Sequence, residues 1–154
     1  MIFDRTQTDV NTAKTLIETK VKKFITLTDA ETATLERGTL TINTLNRIEN
    51  KLAELQTLLN SMGYFTEEFT STTWTYSDYF HQADFDKMLN SLNKLKNAFF
   101  VSVTDVPNDN YRQYQTINAV EKILYDIERL IGVMKNNYRK CGTFECGVKG
   151  EYSL

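Results

Sequence analysis

Apolar residues return along this chain at every third or fourth position, in successive runs that each predict a helix. Val10, Ala13, Ile17, Val21 and Phe24 make the first buried stripe, with Thr6 or Thr8 placed to accept from a first-turn amide as its cap. Thr28-Asp29-Ala30-Glu31 has the form of a capping box, a hydroxyl with a carboxylate three residues on, and predicts a short second helix ending at Gly38. The third run is the most regular. Leu45, Ile48, Leu52, Leu55, Leu59 and Met62 alternate steps of three and four between Thr41, a cap, and Gly63, which can take the left-handed conformation that closes a helix. Phe85, Met88, Leu92, Leu95 and Phe99 predict a fourth helix over residues 82–98. Ile117, Val120, Leu124, Ile127, Ile131 and Met134 predict a fifth over 116–140, and Ile123 and Leu130 widen its stripe as in a helix with two neighbours, which marks it for the centre.

The stretches between these runs differ in character. Residues 64–81 carry seven aromatics in eighteen positions, too apolar for a solvated linker. Residues 100–115 hold the only proline, Pro107, in turn-forming company, and the preceding 99–103 can extend as a short strand. After Lys140, Gly142, Gly147 and Gly150 rule out further helix and suit a small hairpin. The expected architecture is all-α. Residues 1–140 form a bundle of four to five helices with a long aromatic-rich connection, and 141–154 form a tail or hairpin packed on the same domain.

Composition agrees. Six Gly and one Pro beside 21 Thr and 13 Asn are too few turn formers for a sandwich or barrel. A chain of 154 residues can build a core without disulfides or metal. A net charge of -2 offers no field to attract nucleic acid or an anionic membrane. No stretch approaches the roughly 20 apolar residues of a membrane span, and Met1-Ile2-Phe3-Asp4-Arg5 is followed by polar residues rather than a signal-peptide core, so a cytoplasmic site of synthesis is expected.

Candidate chemistry is sparse. His81 is the only histidine, sits just before the fourth helix, and fits a cap-like role better than a ligand or triad member. Cys141 and Cys146 are spaced too widely for a zinc knuckle and lack two further ligands, so free thiols are expected. Carboxylate pairs occur at Glu67-Glu68 and at Asp84 with Asp86; the second suits the positive pole of the fourth helix, and Glu31 and Glu36 suit a solvated face. No glycine-rich phosphate cradle is present. The expectation is a chain without catalytic, cofactor or metal sites. The aromatic connection remains two-sided: Trp74, Tyr76, Tyr79 and Phe80 can either cover the open end of the bundle or bind a protein or glycan partner.

Short motifs recur in a familiar order: Phe3-Asp4-Arg5-Thr6 with Asp9-Val10, Asn46-Arg47-Ile48-Glu49, Gly63-Tyr64, Trp74, then Asn118 with Glu121-Lys122-Ile123-Leu124 and Asp126. In this order the chain resembles a family of small proteins encoded among the tail and baseplate genes of prophages in gut Firmicutes. Phe80-His81 stands where that family has Pro-Thr, and cysteines stand at 141 and 146 where it favours serine. The resemblance implies a virion structural or tail-associated protein without catalysis, made in the bacterial cytoplasm and carried out in the virion. Its implied partners are other phage structural proteins or itself, with a host-surface glycan as the alternative. Arg47 is expected to form a buried or half-buried pair with a carboxylate such as Asp9 or Asp126, which would make its loss cost more than a surface charge.

Overall fold

The structure, a computed structural model, describes residues 1–64, 69–98 and 112–141, the last six by backbone alone. The described residues are all-helical: α1 (Gln7–Thr19), a single 3-10 turn (Val21–Lys23), α2 (Asp29–Gly38), α3 (Ile42–Ser61), α4 (Gln82–Ala98) and α5 (Tyr114–Cys141). The strand and turn expected over 99–111, Glu67-Glu68, and the tail with Cys146 lie outside the described residues, as does the side chain of Cys141.

The core belongs to α3, α4 and α5, which pack on one another. Leu45, Ile48, Leu52, Leu55 and Leu59 of α3 meet Phe85, Met88, Leu92 and Leu95 of α4 and Ile117, Val120, Ile123, Leu124, Ile127 and Ile131 of α5, all buried. The widened stripe of α5 serves two neighbours as expected, although α3 also touches both of the others, so the bundle is a triangle without a single central helix. α3 closes as its sequence predicts. Gly63 takes φ +85°, Tyr64 N–H donates to the Leu59 carbonyl at 3.0 Å and Gly63 N–H to that of Asn60 at 3.1 Å, the Schellman arrangement.

α1 and α2 pack chiefly against each other as an antiparallel hairpin beside the bundle. Each begins in a complete capping box, Thr6 with Asp9 and Thr28 with Glu31. Both carboxylates sit below their ordinary pKa, Asp9 chiefly through the Thr6 hydroxyl and Glu31 chiefly through the Lys20 ammonium. These clamps are therefore complete above the usual carboxylate range and weaken as pH falls through the lowered values. α1 stops at Thr19, short of the expected Phe24. Of the predicted stripe only Ala13 is buried, while Val21 and Phe24 are exposed. Thr12, Thr15 and Thr19 each bond back to the carbonyl four residues earlier, a habit that weakens helices, and the apolar side chains beyond Thr19, Val21 and Phe24, are exposed, so burial does not reward its continuation.

α2 ends at Gly38, as expected. Gly38 is its last helical residue, and what it supplies is space: a Cβ there would meet the Asp9 carbonyl oxygen at 2.3 Å and the Ala13 Cβ at 2.4 Å. Gly38→Ala should therefore pry the two helices apart at a cost of about 1–3 kcal/mol. Chemical denaturation should show the loss, and amide exchange should place it in α1 and α2 with α3–α5 unchanged.

Candidate functional site

The aromatic connection divides between core and surface. From Phe69 to Trp74 the chain lies along α3, which holds it through three side chains. The Gln56 Oε1 accepts the Phe69 N–H at 2.7 Å, the Glu49 carboxylate accepts the Thr72 N–H, and Asn46 both accepts the Trp74 N–H at 2.8 Å and donates to its carbonyl at 3.0 Å. Glu49 also accepts the Trp74 indole N–H at 3.0 Å, so the ring enters the core with its one polar atom satisfied. Phe80 stacks edge-on against Trp74 with centroids 5.1 Å apart and touches Phe85 in turn. Trp74 is thus a core residue and Phe80 a half-buried one, so of the two roles expected from sequence these rings take the covering one and do not stand free for a partner.

Tyr76 and Tyr79 are the surface half, 95% and 82% exposed. They flank a turn locked by Asp78, which accepts both the Thr75 N–H and its hydroxyl at 2.7 Å. The Thr75 hydroxyl holds the Asp78 carboxyl below the ordinary range, so the turn stays charged and closed at neutral pH. His81 follows at the start of α4, exposed. His81 stands at the cap position as expected, its carbonyl accepting from the Phe85 N–H, and Asp84 three residues on accepts the His81 backbone N–H at 3.0 Å, the returning half of a capping box.

A second polar cluster joins the chain's N-terminal segment to the bundle. Glu121 of α5 is fully buried and bonds two arginines, Arg5 through Nη1 and Arg47 through Nε at 3.0 Å and Nη2 at 2.8 Å. Asn118, one turn earlier, exchanges bonds with the Arg5 backbone, accepting at 3.3 Å and donating at 2.9 Å. Arg47 was expected to find Asp9 or Asp126. Those carboxylates are engaged elsewhere, Asp9 by Arg37 of α2 at 3.1 Å and Asp126 by Lys122 one turn earlier on α5 at 2.9 Å.

Seven of the motif residues meet in two clusters. Asn46, Glu49 and Trp74 make one cluster, and Arg5, Arg47, Asn118 and Glu121 the other. Each ties an irregular segment to a helix, which is structural work. The chain matches no protein-family model, no curated protein and no solved structure. Among the described residues no group of three or more His, Cys, Asp or Glu converges, and no helix is long and apolar enough to cross a membrane.

Two features remain on the surface. At the apex of the α1–α2 hairpin, Phe24 is 97% exposed with Val21 and Ile25 beside it, and its backbone holds φ 55°, ψ 30°. A bulky side chain in the left-handed region is costly, and here no burial offsets the strain. Between the hairpin and the start of α5 lies a groove of about 760 Å³, whose wall includes Arg5, Leu40, Leu45, Phe80, Gln115 and Ile117.

Proposed function

We propose that this chain is a structural protein of the phage tail or baseplate kind, working by assembly rather than catalysis, and that the hairpin apex at Phe24 is its contact with copies of itself or with adjoining virion proteins. The exposed, strained Phe24 is the observation that carries this reading. An aromatic ring with no partner among the described residues, held in a conformation glycine would take without cost, contributes little to the isolated fold. Such a residue is kept for what it meets outside, and an aromatic anchor at a tip is the usual centre of a protein contact.

Phe24→Gly separates the two roles. Relief of the left-handed strain should raise stability by about 1 kcal/mol. The same change should dissolve the oligomer that light scattering after size exclusion is expected to find in the parent chain as concentration rises. A chain that melts earlier as Phe24→Gly, or an oligomer that survives the change, would remove the apex from the proposal.

The exposed pair Tyr76 and Tyr79 supports a second reading, a platform for a host-surface glycan or a protein partner. Tyr76→Ala with Tyr79→Ala should leave the unfolding midpoint within about 0.5 kcal/mol of the parent. If the platform is real, binding to a cell-surface glycan array is lost with the fold intact.

A further inference from the structure

The buried Arg5 is only half used. Its side chain is 2% exposed, and Nη1 alone carries its bonds, to Glu121, Asn118 and the Ile2 carbonyl. The opposite edge, Nε and Nη2, has no hydrogen-bond partner among the described residues. That edge is a fork of two parallel N–H donors whose spacing matches the two oxygens of a carboxylate or phosphate. Unfilled guanidinium donors inside a protein are expensive, and a native structure that leaves them so usually has something else to place there.

Charge and position point the same way. Arg5 and Arg47 share one carboxylate, Glu121, so the cluster carries an excess positive charge. Arg5 is part of the wall of the 760 Å³ groove, and so are Tyr114 and Gln115 in the first turn of α5, the positive pole of a 28-residue helix. Among the described residues no acidic side chain lines this groove, while Leu45, Phe80 and Ile117 give it an apolar side. The carboxylate of Asp9, next to the lining residue Val10, is committed to Thr6 and Arg37.

We propose that the groove binds a small organic oxyanion, a carboxylate or phosphate monoester on an apolar body, whose oxygens take the Nε and Nη2 edge of Arg5. The apolar body lies against Leu45, Phe80 and Ile117. Both nitrogens are shielded from solvent, so the ligand displaces part of the wall as it enters and the bound complex ties the N-terminal segment more firmly to α5.

The test is a titration of the full chain with phenyl phosphate, benzoate and uncharged benzyl alcohol, followed by nitrogen-proton NMR with the Arg5 Nε–H and the first-turn amides of α5 as reporters. Saturable shifts at these groups with phenyl phosphate, benzoate or both are expected, and the stronger of the two names the headgroup. Arg5→Lys keeps the charge opposite Glu121 but removes the fork, and should weaken binding by about tenfold or more. Gln115→Glu leaves Arg5 untouched and suits the helix pole, so its fold is secure, yet it should weaken binding similarly by repelling the anion. No shift at Arg5 with either anion, an equal response to benzyl alcohol, or affinity unchanged in both variants would overturn the site.

Discussion

Glu121→Gln is expected to cost about 3–5 kcal/mol, a large share of the 5–15 kcal/mol that holds a domain folded. The carboxylate is fully buried and is the counter-charge of both Arg5 and Arg47. Its neutral analogue keeps the shape but leaves two guanidinium groups facing one amide, and the Arg5 side chain has almost no water to retreat to. Arg47→Ala should cost less, a little over 1 kcal/mol, because its side chain is 29% exposed and its loss leaves Glu121 still paired with Arg5. The two changes should not add, since the second removes a partner of the first. Urea unfolding of the three variants measures the coupling. A Glu121→Gln chain within 1 kcal/mol of the parent would mean that water, and not Glu121, solvates the arginines.

Much of the bundle was legible because its signal is periodic. The α3 seam needs only a partner surface to be buried, and α4 and α5 provide one. Periodicity failed at Val21 and Phe24, which continue the α1 stripe by arithmetic although nothing lies across from them: spacing places a residue on a face, and only a neighbour buries it. Gly38 was legible as an end of α2, but its cause, the approach of α1, depends on a contact 25 or more positions away in sequence.

The polar clusters were harder to see, though a signal was present. Leu45, Glu49, Leu52, Gln56 and Leu59 step by four, three, four and three, and so do Ile117, Glu121 and Leu124 by four and three. Charged or amide residues standing on a core seam must be neutralised inside the protein, so they announce a buried partner without naming it. The partners were unreadable because Arg5 and Trp74 lie in segments with no period of their own. Arg47 shows the same limit. Its need for a carboxylate was evident, but the choice among Asp9, Asp126 and Glu121 is made by helix packing.

Trp74→Ala is the second change expected to be severe, at about 3–5 kcal/mol, because it empties a core volume shared with Phe80 and strips Glu49 of its indole donor. Trp74→Phe isolates the polar part. It keeps most of the ring but leaves one Glu49 oxygen without its donor, for which about 1–3 kcal/mol is expected. As the only tryptophan, Trp74 also reports on itself. Its emission should be blue-shifted in the parent, as for a buried indole, and should move to the red in Asn46→Ala, where the two backbone bonds that pin residue 74 are gone. Red emission from the parent chain, or a Trp74→Ala variant as stable as the tyrosine pair of the neighbouring turn, would return Trp74 to the surface. The blue-shifted result instead leaves Tyr76 and Tyr79 as the partner candidates among Trp74, Tyr76, Tyr79 and Phe80, since the clamp that satisfies Glu49 also commits the indole to the core.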